Sequence, residues 1–187
     1  MEKENKQQSE HLSLVEIAKT AIVTFLVTFV LFNFVVANII VPSGSMMNTI
    51  NIGDRLIADR VIYKVTGISR GDIVVFHPPI EDKENTYYIK RVIGLPGETI
   101  EGKDGYVYIN GEKLEESYTK SLLSSDFGPY IIPENSYFMM GDNRTDSYDS
   151  RYWEQKYVSI DRVIGKALIR YNNGLKIFKK QEYSIQK

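Results

Sequence analysis

The chain of 187 residues has no cysteine, which excludes disulfides, thiol nucleophiles and thiolate metal sites. Imidazole is nearly as scarce: there are two histidines, and His11 stands in a polar lead before an apolar run, so a histidine-dependent mechanism would have to rest on His77. Neither sign of charge is in excess, with 23 Lys and Arg against 24 Asp and Glu. Leaving out the three Lys and four Glu of the first 41 residues gives 20 of each. That balance argues against nucleic acid as a partner, because phosphate binding draws on a basic surplus. There is no internal repeat, no low-complexity tract and no second long apolar run. The length accommodates one membrane anchor and one compact domain with a small insertion.

What is present begins with TAIVTFLVTFVLFNFVVANIIV, the uncharged stretch 20–41. As a helix its 22 residues would be about 33 Å long, enough to cross the hydrocarbon core of a bilayer. A cleavable signal peptide is the alternative, since Val35 and Ala37 form a passable small-residue site. The long apolar run and the 19-residue polar lead favour a retained anchor behind a cytoplasmic tail, 1–19. Lys3, Lys6, Lys19 and the amino terminus precede the run, whereas only Arg55 and Arg60 follow closely, so the amino terminus is expected inside and the rest outside.

Beyond the anchor, short β-branched and aromatic runs alternate with Gly, Pro and Asp, the pattern of strands and turns. IGDRLIADRVIY, GDIVVF, TYYIKRVIG, YVYINGEKL, SYFMM and RVIGKALIRY all read this way, and Asn110-Gly111 is a hairpin signal because both residues tolerate positive φ. A second hairpin is expected through Asn172-Asn173-Gly174 into LKIF, with a solvated Lys/Gln-rich end. The stretch 120–135, with its serines, Gly128, Pro129 and Pro133, reads as loop. The expected fold is mostly β: an antiparallel sheet or partly open barrel with few or no further helices.

Three segments carry candidate chemistry. In VPSGSMMNTI, 41–50, Gly44 between Ser43 and Ser45 permits a tight turn that exposes a hydroxyl and aims backbone N–H groups at a developing oxyanion. A flexible linker is the plain alternative, yet apolar Met46, Met47 and Ile50 follow at once. By this count Ser45 lies four residues past the apolar run, within roughly 14 Å of the membrane exit. In YYIKRVIG, strand alternation places Lys90 on one face and Arg91 on the other. An exposed edge lysine is the ordinary reading. A buried one, kept neutral by desolvation, can take a proton from a serine, which Arg91 cannot do. GDNRTDSYDSRYW, from 141, concentrates Asp, Asn, Ser and Arg, either as a surface loop or as a scaffold locked by Asp–Arg pairs. Its Asn143-Arg144-Thr145 sequon is read as coincidence.

PSGSMMNTI, GDRLIADR, RGDIVVF, YIKRVIGLPGE and GDNRTDSYDSR, in this order behind an amino-terminal anchor, resemble the type I signal peptidases (leader peptidases) of bacteria, especially the Gram-positive members with a short insert and one anchor. The resemblance covers the anchor and most of 42–151. It implies a serine–lysine endopeptidase that removes signal peptides from secreted precursors at the outer face of the cytoplasmic membrane. Ser45 would be the nucleophile and Lys90 the general base, while the Ser45 N–H and the Ser43 hydroxyl would form the oxyanion hole. Ser147 would orient Lys90 by a hydrogen bond, and Asp142, Arg144, Asp149 and Arg151 would brace the site. The catalytic β domain would comprise 42–98 and 136–187, and 99–135 would be a non-catalytic insert. No cofactor or metal is implied; the partners are secretory precursors with small residues before the cut, the lipid bilayer and translocation machinery. Asn48 stands where the family often has proline. Ile50, Ile52, Val74, Phe76 and Val92 are candidates for the shallow apolar substrate pockets, with plain core as their other reading. His77 remains a rival base, and a non-catalytic extracytoplasmic binding module on a Ser-Gly-Ser stalk is the rival function. A soluble self-cleaving regulator with serine–lysine chemistry fits the anchor less well.

Overall fold

The computed structural model describes residues 2–81, 83, 86–179, 183, 185 and 186. Helix α1, Glu2–Val30, runs on through a π-helical turn at Leu31–Val35. Within it the 22 residues Leu14–Val35 have a mean hydropathy of 2.0 and are not buried by the rest of the protein. The helical run therefore ends six residues before the expected end of the span at Val41: Val36 turns to φ −119° and ψ 150°, and Val36–Ile40 becomes strand β1. β-Branched Val36, Ile39 and Ile40 suit a strand, and β1 finds a partner in β2, Arg55–Asp59, from Val36 opposite Asp59 to Ile40 opposite Arg55. An unbroken apolar run does not by itself separate a membrane helix from a buried strand that follows it.

A five-residue helix, α2, Ile62–Thr66, follows β2, as the one further α-helix among the described residues. The buried Asp59 carboxylate starts it by accepting the N–H groups of Val61, Ile62 and Tyr63 at 2.8–2.9 Å. The chain then forms β3 (Ile73–Phe76), β4 (Tyr88–Gly94), β5 (Thr99–Lys103), β6 (Tyr106–Ile109), β7 (Glu112–Leu114), β8 (Phe127–Ile131), β9 (Ser136–Met140), β10 (Val158–Ser159), β11 (Val163–Arg170), β12 (Lys176–Ile177) and β13 (Ile185–Gln186). One sheet has the order β1-β2-β11-β3-β4-β9-β10 with β12 beside β11; the other has the order β13-β7-β6-β5-β8. All pairings are antiparallel. Both expected hairpin turns form, with Asn110 at φ 52° and Asn173 at φ 51°, each followed by a positive-φ glycine.

The smaller sheet draws most of its strands from 99–131. Its β8 lies inside the stretch expected to be loop. Gly128-Pro129 hides the strand in the sequence, but Phe127 stacks on Phe138 at 5.5 Å between ring centres, and the missing Cβ of Gly102 leaves room for it. The expected solvated tail falls partly outside the described residues; Tyr183 packs on Tyr118, and β13 pairs with β7.

β4 is central, flanked by β3 and β9. That position decides the status of Lys90 and Arg91, each only 3% exposed, and removes the edge-lysine reading. Ile50, Val74, Phe76 and Val92 are fully buried core, whereas Ile52 is 61% exposed.

Candidate active site

The nucleophile candidate sits on a single 3₁₀ turn, Gly44–Met46, entered from an extended Ser43. Buried Met46 pins the turn in the core, and its carbonyl accepts the N–H groups of Thr49 and Ile50 at 3.1 and 2.9 Å. Gly44 does not take a left-handed backbone; a Cβ there would lie 2.8 Å from Met47 Sδ, and the half-exposed Met47 side chain would have to shift. The left-handed residue is Asn48, at φ 88°. Proline is fixed near φ −65°, so Asn48 is more than a less rigid substitute for the family's proline: this loop takes a path that proline cannot follow.

Lys90 Nζ is 2.5 Å from Ser45 Oγ. Burial disfavours the ammonium and lowers the Lys90 pKa to about 8, with Arg151 acting in the same direction; Asp149, Asp142 and Asp146 oppose the shift. Ser43 Oγ is 3.4 Å from Ser45 Oγ, and the Ser45 N–H donates to no carbonyl among the described residues. Ser43, Ser45 and Lys90 share the wall of a cleft of about 340 Å³ with Tyr87, Tyr88 and Tyr148. None of Ile50, Ile52, Val74, Phe76 and Val92 lines it. His77 lies elsewhere, with Nδ1 2.9 Å from the Thr86 carbonyl, on a recess that includes neither Ser45 nor Lys90.

The loop 141–151 is held by two fully buried carboxylates. Asp149 accepts Arg151 Nε at 2.8 Å and Nη2 at 2.9 Å, the Gly141 N–H at 2.9 Å and the Ser147 hydroxyl at 2.7 Å. Ser147 thus donates to Asp149, and the expected hydrogen bond to Lys90 is absent among the described residues. Asp142 pairs with Arg91, at 2.8 Å from Nε and 2.5 Å from Nη2, and also accepts the Thr49 hydroxyl at 2.5 Å. Arg144 makes its ion pair with Glu116, its two nitrogens lying 2.7 and 2.5 Å from the carboxylate oxygens. All four expected bracing residues are therefore buried around the site, but only Asp149 and Arg151 pair with each other.

Sequence reasoning missed five contributors. Arg91, dismissed as a base, holds Asp142, and Thr49 links Asp142 to the nucleophile loop. Asn143, set aside as part of a sequon, donates its N–H to the Ser45 carbonyl at 3.1 Å and its amide to the Gly44 carbonyl at 3.2 Å. Glu116 arrives from the segment after β7, and no local pattern marks it. Gly141 seals the packing, since a Cβ there would fall 2.3 Å from Ser147 Oγ and 2.4 Å from the Ser45 carbonyl oxygen.

This arrangement supplies a hydroxyl, an amine with a lowered pKa and free hydrogen-bond donors in one cleft, which are the parts needed for acyl transfer. Residues 14–172 match the family model described as signal peptidase, peptidase S26. The chain is 44% identical over 136 residues to a signal peptidase I from Leptolyngbya laminosa, covering 70% of this chain and 66% of that one. It is 36% identical over 154 residues to signal peptidase I S from Bacillus subtilis, covering 76% of this chain and 81% of that one. A crystal structure of a signal peptidase I from Enterococcus faecalis aligns with a TM-score of 0.45 at 35% identity, over 53% of this chain and 95% of that one. With the family model spanning most of its length, the chain belongs to the bacterial type I signal peptidases of peptidase family S26, the peptidases that remove signal peptides.

Proposed function

We propose that Ser45 and Lys90 form the catalytic dyad of a membrane-anchored peptidase that cuts secretory precursors on the outer face of the cytoplasmic membrane. The observation that carries this reading is the buried Lys90 amine 2.5 Å from the Ser45 hydroxyl on a cleft wall. Neutral Lys90 takes the Ser45 proton as Oγ attacks the scissile carbonyl carbon. The resulting oxyanion faces the Ser45 N–H and the Ser43 hydroxyl. Collapse breaks the C–N bond, Lys90 returns the proton to the leaving amine, and an ester to Ser45 remains. Lys90 then deprotonates the water that hydrolyses this ester. Asp149 and Arg151 hold the loop beside the dyad, and Ser147 acts as a positioning residue through Asp149.

Leu14–Val35 serves as the single anchor, with the amino terminus inside. β1 then carries the chain about 17 Å before the nucleophile turn, further than the sequence count suggested. About five extended residues of a precursor beyond its own apolar helix match the length of β1. Tethering enzyme and substrate in one membrane raises their effective concentration without tight binding. In this reading, precursors with small residues before the cut enter the Ser45–Tyr148 cleft, 99–135 is the inserted subdomain, and translocation machinery supplies the substrate.

The test compares Ser45→Ala, Lys90→Met and His77→Ala in cleavage of a secretory precursor by the detergent-solubilised chain, scored by the new amino terminus. The first two are expected to abolish cleavage and the third to leave it intact. Survival of Lys90→Met together with loss in His77→Ala would remove the dyad.

A further inference from the structure

The structure carries an unexplained surface where α1 meets the β domain. The Arg60 N–H donates to the Val35 carbonyl at 2.9 Å, and Arg60 Nη1 donates to the Asn33 carbonyl at 3.0 Å. α2 is thereby held against the end of the apolar helix. Its Tyr63 points inward, 4% exposed, with its hydroxyl donating to the Val163 carbonyl at 2.8 Å. On the outer side Val61, Ile62 and Val65 are 42%, 56% and 88% exposed. Scattered apolar residues on a surface are ordinary, but these three lie within five residues of one another beside the end of a candidate span.

The same place is cationic. A recess of about 610 Å³ is lined by Asn33 and Phe34 from the last helical turn and by Arg60, Lys64, Asp161 and Arg162 from the β domain. His77 also faces it. Among the described residues none of Arg60, Lys64 and Arg162 forms an ion pair. Among the described residues the Arg162 guanidinium donates only to the Pro78 carbonyl at 3.2 Å, and the Lys64 ammonium donates no hydrogen bond. Three cations thus face one carboxylate, next to an apolar helix face and the exposed rings of Phe32 and Phe34.

We propose that this recess binds the phosphate-bearing headgroup of an anionic phospholipid from the leaflet into which α1 emerges, while Val61, Ile62 and Val65 dip among the acyl chains. The inference rests on the reading of Leu14–Val35 as a membrane anchor. Continuity with that helix and complementary charge favour a lipid over a free anion: a lipid fills both the cationic recess and the apolar ground beside it. Docking at α2 fixes the tilt of β1 relative to the membrane, and so the height of Ser45 above it.

The absence of native cysteine makes single-site labelling direct. The full chain carrying a nitroxide at Val65→Cys is placed in nanodiscs of phosphatidylcholine, with or without phosphatidylglycerol, and its access to oxygen and to a water-soluble nickel chelate is compared. The label is expected to move from water to lipid when phosphatidylglycerol is present. Lys64→Glu, at a side chain without hydrogen-bond partners among the described residues, is expected to lower the docked-to-undocked ratio at least fivefold, about the weight of one basic residue at an anionic surface. A label at Phe25→Cys separates the two readings: if it is in water, the anchor fails; if it is in lipid while the Val65→Cys label stays in water in both discs, this inference alone is overturned. Equal docking in both lipids, or an unchanged Lys64→Glu variant, also overturns headgroup recognition. Inorganic phosphate added to phosphatidylcholine discs is expected to leave the label in water; docking driven by it would reassign the recess to a free anion.

Discussion

The pH dependence of Lys90 offers two independent measurements of the same physical quantity. With a pKa of about 8, roughly a tenth of Lys90 is neutral at pH 7 and roughly nine tenths at pH 9. The kcat/KM for a precursor peptide is therefore expected to rise close to tenfold per pH unit below pH 7 and to level off between pH 8 and 9. Stability must follow the same proton. The folded pKa lies below the ordinary 10.5, so between about pH 8 and 10.5 the unfolded chain binds more proton than the folded one. Stability from this group rises with pH across that window and is flat below it, where both states are protonated. The full difference corresponds to about 3 kcal/mol, the cost at neutral pH of holding an ammonium at a position only 3% exposed. Lys90→Met removes that cost while keeping much of the volume, so it is expected to abolish cleavage yet stabilise the fold at pH 7 by about 1–3 kcal/mol, after some loss of contacts. Denaturant unfolding of the detergent-solubilised chain, followed by the fluorescence of its one tryptophan, the buried Trp153, reads this directly. An activity limb centred near 10.5, or a Lys90→Met variant less stable than the parent at pH 7, would refute the reasoning.

Three further outcomes follow from the geometry. Gly141→Ala drives a methyl between Ser147 and the Ser45 carbonyl, so kcat should fall by about 100-fold or more for an overpacking cost of roughly 1–3 kcal/mol; a fully active variant would show that the turn does not depend on this contact. Asn48→Pro should damage both stability and activity because φ 88° lies outside its range, while Asn48→Gly should retain both; an unimpaired proline variant in a thermal melt and peptide assay would contradict the loop path. Glu116→Ala leaves the Arg144 guanidinium buried without its carboxylate and should cost about 3–5 kcal/mol by denaturant unfolding; a change below about 1 kcal/mol would mean the pair is not holding the loop.

Local pattern was a reliable guide wherever the signal was local. β-Branched and aromatic runs closed by turn residues marked β4 and β11, and Asn-Gly marked two turns, because strand preference and positive φ are properties of neighbouring residues. The helix end was not legible in the same way. Val36–Ile40 is as apolar as the helix before it, and what makes it a strand is β2, which lies 15 residues further on at its nearest pairing. β8 was hidden for a similar reason: its Gly-Pro pair reads as a turn, but aromatic packing against Phe138 holds it in the sheet. Ion pairing was the least legible feature. Asp142 was expected to brace its own loop, yet its partner Arg91 is 51 residues away, and the Arg144 partner comes from the segment after β7.

The sequence alone narrowed the available chemistry: cysteine was absent and imidazole scarce, and the ordered motifs behind an apolar run, through the family they resemble, singled out a hydroxyl and an amine. Tertiary structure decided that this amine loses its water and meets that hydroxyl. Desolvation depends on which strands flank β4, and carboxylate pairing depends on which loops close over it. Both are set by residues distant in the chain, and no window of sequence contains them.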